Sequence, residues 1–313
     1  MLITPPRAVM TVVLIVAIGC SGSPTAPARL PQPTSSMPPT CAGVVGVSCF
    51  GTLNYVEYIP GDVPVVISVP HGGALTPATI PNRTTGTTVT DTNTIELGHA
   101  ITQAFLARTG RRPHLVLVHL RRTKLDANRE VVEAAQGNPD AIRAWTEYHT
   151  FIELAMAAVR QRSGTGLYVD LHGHGHAKAR LELGYLLTAE TLNGTDDALN
   201  AAHAASASSL RLLASPSSVS SAGLIRGPMS LGGFLEAQVP SVPSPSDPSP
   251  GSDPYFNGGY STSRHTTTLP GLQIESHFTG VRDSATSRTA FGDRLVTALD
   301  TFLRVHLGLQ LAG

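Results

Sequence analysis

Short apolar runs recur along the chain and alternate with longer amphipathic stretches. Val63 to Val69 (VPVVISV), His114 to Leu120 (HLVLVHL) and Leu167 to Leu171 (LYVDL) are continuous and rich in β-branched residues. Leu183 to Leu187, Gly223 to Arg226 and Leu272 to Ile274 complete a set of expected strands. Runs this continuous suit strands covered on both faces of a sheet. Between them lie helical patterns. Thr92 to Arg108 reads as one helix. Asp140 to Arg162 gathers Ile142, Trp145, His149, Ile152, Met156 and Val159 near one face, and Asn138-Pro139 supplies cap and first-turn signals. Thr286 to Leu307 aligns Phe291, Leu295, Leu299, Phe302 and His306 in one stripe. Strands alternating with helices predict an α/β fold, a three-layer sandwich around a mainly parallel or mixed central sheet. Such sheets bind ligands beyond the carboxyl ends of their strands. Pro240 to Pro254 (PSVPSPSDPSPGSDP) is the low-complexity stretch within the body and reads as a mobile loop. It leads into the aromatic, glycine-rich Tyr255 to Tyr260, a candidate site wall.

The N-terminus has a different pattern. Arg7 precedes the apolar run Ala8 to Ile18, too short to span a bilayer but proportioned like a signal-peptide core. It ends in Ala17-Ile18-Gly19-Cys20, similar to the lipobox of bacterial lipoproteins, although leucine is usual where Ala17 stands. The expectation is a lipoprotein-type signal over residues 1–19 and export to the cell envelope, with anchoring through a lipid on Cys20 as the chain's sole membrane attachment. Residues 20–50, rich in Pro, Ser and Ala at first, read as a tether, and 51–313 as a single domain. An oxidising compartment permits a disulfide between Cys41 and Cys49; two free thiols are the alternative.

Charge narrows the choice of partner. Twenty-two basic residues balance twenty-two acidic ones in 313 residues, and charged residues make up 14% of the chain. A chain with no surplus of basic residues argues against a nucleic-acid partner. Lys124 and Lys178 are the only lysines. The remaining cations are arginines, which match carboxylates with two parallel hydrogen bonds.

Chemistry-bearing residues gather after the expected strand ends. Val69-Pro70-His71-Gly72-Gly73 places a histidine at the end of one buried strand, and Val169-Asp170-Leu171-His172-Gly173-His174-Gly175-His176 does so at another. Two strand-end histidines in one sheet can share a metal ion, zinc being well suited to imidazole. Asp170 is placed to orient an imidazole. His174 and His176 are open to roles as ligands, substrate contacts or rim residues, His176 reading best as rim. Asp91 stands before a helix, either as its N-cap or as an oxygen ligand beside His71, with Glu96 a competitor for the second role. Arg121-Arg122-Thr123-Lys124-Leu125-Asp126-Ala127-Asn128-Arg129 concentrates cations after the strand ending at Leu120, unless Asp126 simply pairs with Arg129. Glu275, in Gln273-Ile274-Glu275, ends a further strand, where a carboxylate beside activated water acts as base and then acid.

Taken in order, Pro70-His71-Gly72-Gly73, the Asp91 helix start, Asp126-Ala127-Asn128-Arg129, Asp170-Leu171-His172-Gly173, Asn257-Gly258-Gly259-Tyr260 and Gln273-Ile274-Glu275 resemble the N-formylglutamate amidohydrolase family. That family lies within the carboxypeptidase- and aspartoacylase-like zinc hydrolases. The resemblance runs from about Val63 to His277. It implies a phosphorylase/hydrolase-like α/β fold, one Zn2+ ion, His71 and His172 as ligands, and Glu275 as the base that activates water. It implies that Asn128 and Arg129 hold a substrate carboxylate, with Arg122 or Arg121 assisting and Arg264 and His265 lining the same pocket. The implied activity is hydrolysis of the amide bond of an N-acyl amino acid or small peptide with a free carboxylate. Carboxypeptidase-like enzymes carry a glutamate ligand three residues after the first histidine. Ala74 stands there, which leaves Asp91 as the third ligand. Gly173 stands where the family has serine, and export sets formylglutamate itself in question as the substrate. Two other readings remain: an exported binding lipoprotein without catalysis, and a serine hydrolase, for which no Gly-x-Ser-x-Gly elbow is present.

Overall fold

A parallel core of four strands organises the chain. In a computed structural model, the described residues are Met1, Cys41, 43–214 and 216–311. The expected signal segment 1–19, Cys20 and the tether as far as residue 40 therefore lie outside the described residues, apart from Met1. Eight strands form one sheet: β1 (Cys49–Phe50), β2 (Val56–Ile59), β3 (Val65–Val69), β4 (His114–Val118), β5 (Leu167–His174), β6 (Leu181–Gly184), β7 (Ser241–Val242) and β8 (Gly271–His277). Their order is β1-β2-β4-β3-β5-β8-β6-β7. β4, β3, β5 and β8 are mutually parallel, whereas β2 and β6 flank them antiparallel.

The helices are α1 (Thr94–Thr109), α2 (Val131–Ala135), α3 (Pro139–Ser163), α4 (Ala189–Leu192), α5 (Asp196–Asn200), α6 (Ala202–Ala207), α7 (Ser221–Arg226), α8 (Leu231–Leu235), α9 (Tyr260–His265) and α10 (Ala285–Leu307). Strand side chains alternate between faces, and here each face feeds its own core. Val65, Ile67, Val69, Val169, Leu171, Leu272 and Ile274 pack with Ile101, Phe105, Leu295 and Leu299 of α1 and α10. Val66, Val116, Val118 and Tyr168 face the other way, onto Tyr148, Phe151, Ile152 and Met156 of α3. The result is a three-layer α/β sandwich with a mixed sheet, as the alternating pattern predicts.

Several expectations are corrected. Gly223 to Arg226 is not a strand but the body of α7, because the Ser220 hydroxyl accepts from Gly223 N at 3.2 Å and starts a helix. The sheet begins at Cys49, two residues before the boundary expected at 51. The expected disulfide between Cys41 and Cys49, by contrast, is present. The 240–254 stretch is pinned rather than loose. Ser241–Val242 pairs with β6, and Arg180 holds Asp247 at 2.9 Å and Asp253 at 3.1 Å. No described helix is long and apolar enough to cross a membrane.

Candidate metal centre

The chain leaves β3 toward β4 on one side and β5 toward β6 on the other, so the crevice above these neighbouring strands lies where the connections diverge. Open α/β sheets hold their ligands in such a crevice. His71 sits two residues beyond β3, and His172 lies on β5 opposite Glu275 of β8. Alternation along β5 puts Tyr168, Asp170 and His172 on the α3 side of the sheet.

Three buried groups converge. Asp91 Oδ2 lies 3.4 Å from His71 Nδ1 and 3.3 Å from His172 Nδ1. These three residues form a group whose potential ligand atoms all lie within 4.8 Å of one another. Asp91 does not cap α1. Asn93 occupies that position in the left-handed conformation, and Asp91 contributes only its carbonyl, to Thr94 N and Oγ1. Its carboxylate is thereby released to face the histidines, and a backbone bond from Asp91 N to His71 O at 3.0 Å holds it there. Ala74, where a glutamate ligand would stand in carboxypeptidase-like enzymes, is exposed, and so is Glu96.

Each histidine is oriented from behind by a carboxylate. His71 Nε2 bonds Asp126 Oδ1 at 2.6 Å. His172 Nε2 lies 3.2 Å from Asp170 Oδ2 and 3.3 Å from Asn128 Nδ2. Asp170 is itself fixed by Ser68 Oγ at 2.9 Å and Thr262 Oγ1 at 3.1 Å. Carboxylates placed this way set the tautomer and raise the basicity of ligand imidazoles. Burial works against charge here, yet His71 and His172 hold the Asp91 carboxyl well below the ordinary carboxylate range. Asp126 is held low as well, by His71 and Arg122 against its burial. His172 is buried too, but Asp170 and Asp91 push it well above the usual imidazole value.

The donor set fits a divalent cation. His71 Nδ1 is buried and has no hydrogen-bond partner among the described residues, while it points at a carboxylate oxygen. Orphaned buried nitrogens are rare and ask for a reason. Two imidazole nitrogens, each backed by a carboxylate, and one carboxylate oxygen are a donor set that zinc takes in catalytic sites, with one position left open.

Glu275 stands beside this group, with Oε1 4.0 Å from His172 Nδ1 and accepting from Gln273 Nε2 at 2.9 Å. Burial, aided by Asp91 and Glu182, pushes its carboxyl up to about 8 despite His172. Arg122 is buried and reaches across the site, with Nε on Asp126 Oδ2 at 2.9 Å and Nη1 3.6 Å from Asp91 Oδ1. The pairing of Asp126 with Arg129 does not form; Asp126 serves His71 and Arg122 instead.

The other expected substrate contacts already have protein partners, and two of them are drawn away from the centre. Asn128 is already engaged, its Oδ1 accepting from Ser261 N at 2.7 Å and its amide turned to His172. Arg129 is half-buried, with Nη1 on Asn128 O at 2.8 Å and Nε 3.4 Å from Glu133. Arg264 is drawn outward onto Glu153 at 2.9 Å and over the Trp145 ring, and none of its described partners belongs to the centre. His265 points into the core, its Nε2 2.8 Å from His149 Nδ1. Gly173 is glycine because a Cβ there would run into the Arg282 guanidinium, which ties Thr92 O, Ser276 O and His174 O together.

No family model matches the chain, and no match is found among curated proteins. Among solved structures, the chain is similar to an N-formylglutamate amidohydrolase from Ralstonia eutropha JMP134, at 14% identity and a TM-score of 0.47, covering 79% of this chain and 96% of that one. It is also similar to a succinylglutamate desuccinylase from Chromobacterium violaceum, at 14% identity and a TM-score of 0.35, covering 82% of this chain and 70% of that one. Identity this low leaves the activity to be argued from the residues themselves.

Proposed function

We propose that this protein is an exported, zinc-dependent amidohydrolase acting on an N-acyl amino acid or small peptide with a free carboxylate. The observation that carries the reading is the convergence of His71 Nδ1, His172 Nδ1 and Asp91 Oδ2 beside the buried carboxylate of Glu275. His71, Asp91 and His172 would hold one Zn2+ ion. Such an ion supplies Lewis acidity, making water a better nucleophile and the amide carbonyl a better electrophile.

The protein's own groups do the rest. Glu275 takes the proton from the attacking water and delivers it to the leaving amide nitrogen. Arg122 meets the developing negative charge at the carbonyl oxygen, held for that task by Asp126. Asp126 and Asp170 keep both imidazoles turned to the centre. Arg129, half-buried at the end of the loop before α2, anchors the substrate carboxylate and contributes position rather than chemistry. Asn128 acts through His172 and Ser261, as a positioning residue. The reading includes a signal segment at 1–19 and anchoring in the cell envelope through Cys20.

The test is zinc content measured together with hydrolysis of a panel of N-acyl amino acids and small peptides, with and without a chelator. The expected result is one catalytic zinc equivalent, lost in His71→Ala, and turnover that disappears with chelation and returns with zinc. Turnover unaffected by thorough metal removal would overturn the reading. Bound zinc without turnover on any member of the panel would leave a binding protein in place of an enzyme.

A further inference from the structure

We propose a second divalent-cation site, separate from the first, formed by His174, His176 and Glu182. Their potential ligand atoms also lie within 4.8 Å of one another. His174 and His172 are two residues apart on β5 and so share a face of the sheet, with His174 one step nearer the strand end. Glu182, on β6, is the register partner of Glu275. The second group therefore lies alongside the first without sharing a residue with it.

The local chemistry favours a cation. His174 is buried, and its Nε2 bonds the Arg180 carbonyl at 2.8 Å. A carbonyl can only accept, so the proton sits on Nε2 and the Nδ1 lone pair faces inward. That lone pair lies 4.0 Å from Glu182 Oε1, and the group now sharing it is His176 N, at 3.2 Å. Glu182 is buried to 1% exposure, and no described lysine or arginine pairs with it. Oε2 accepts from Phe256 N at 2.8 Å, and Oε1 lies 2.7 Å from His176 Nδ1. A buried carboxylate compensated only by imidazoles and one backbone N–H is costly. A cation between the imidazoles removes that cost. His176 is fixed in turn by stacking on Phe256, the ring centroids 4.7 Å apart and the planes 14° from parallel. Two imidazoles and one carboxylate suit a borderline divalent ion such as Zn2+, in preference to calcium or magnesium. His277, the register partner of His174, adds a third imidazole beside the group, with ring centroids 5.5 Å apart.

The test titrates Zn2+ alone into the metal-depleted full chain and into the variants His176→Ala, Glu182→Gln and His71→Ala, with thermal melting to confirm that each is folded. Two equivalents are expected for the parent chain and one for each variant. The Glu182→Gln substitution keeps shape and hydrogen bonding, so its loss of an equivalent speaks for ligation rather than for packing. Parent-like stoichiometry and affinity in both His176→Ala and Glu182→Gln would overturn the second site. If His71→Ala keeps two equivalents while the other variants lose one, the second site stands and the assignment of the first fails.

Discussion

Asp126 has two carboxylate oxygens and commits them to different partners, Oδ1 to His71 and Oδ2 to Arg122. Replacing it with asparagine keeps the shape but removes the charge that polarises His71. Asp126→Asn should weaken zinc binding by about tenfold to a hundredfold, read by competition against a chelator of known affinity; unchanged affinity would contradict the positioning role. Glu275 should behave oppositely. Glu275→Gln should retain zinc but lose turnover by about a hundredfold or more, the range for removing a general acid–base. A fully active, zinc-replete variant would sink its assignment as base. The sequence displays these two roles unequally. Glu275, His71 and His172 stand at the ends of apolar runs, where sheet geometry says to look. Asp126 sits in a stretch that reads as a basic loop, and its nearest rival partner, Arg129, is the wrong one. Its true partner His71 is 55 residues away, brought close by the parallel pairing of β3 with β4. Arg264 fails for the same reason in reverse, because Glu153 and Trp145, over a hundred residues earlier, draw it out.

Elements whose ends carry local chemistry were legible. α3 starts at Pro139 because the Asn138 side chain accepts from Asp140 N at 3.1 Å and Ala141 N at 3.0 Å, as the Asn-Pro pair predicts. Removing that cap with Asn138→Ala should cost about 1 kcal/mol, seen as a lower denaturant midpoint with an unchanged slope; no change would mean that packing alone sets this terminus. Elements without such signals were hidden. β2 carries Glu57 within an apolar stretch, and the charge is tolerated because His119 and Ser48 meet it at 2.9 Å and 2.6 Å. β7 lies inside the Pro- and Ser-rich stretch, whose order depends on Arg180 reaching Asp247 and Asp253. Gly223 to Arg226 has the apolar content of a strand, but Ser220 upstream makes it a helix. In each case the deciding partner lies outside the segment being read.

Across the whole molecule, buried neutral histidines link stability to pH. Burial depresses His114 to about 4, and its Nδ1 lies 2.9 Å from Tyr58 OH and accepts from Gly61 N at 3.1 Å, a nitrogen that cannot also hold a proton. Burial, with Arg264 nearby, depresses His265 to about 3, and burial with His265 takes His149 well below the ordinary imidazole value. His149 and His265 share a hydrogen bond at 2.8 Å, so both cannot be charged together. In the unfolded chain these imidazoles take up protons near pH 6.5. Above that pH neither state binds these protons, and the three residues leave stability unchanged. Below it the unfolded state binds protons that the native state refuses, so unfolding becomes easier as pH falls. In the metal-free protein His172, held above the usual value, is charged in both states below pH 6.5 and drops out of this window, while Glu275, pushed up to about 8, keeps its proton only in the native state there and offsets about one of the three histidines. Between pH 6.5 and 5 each depressed histidine should therefore remove up to about 2 kcal/mol. The parent chain's denaturant midpoint should fall steeply across that window. His114→Gln should fall less steeply, having one fewer site to protonate on unfolding. A midpoint that stays level from pH 6.5 to 5, or a His114→Gln slope equal to the parent's, would contradict the burial of these rings as neutral species.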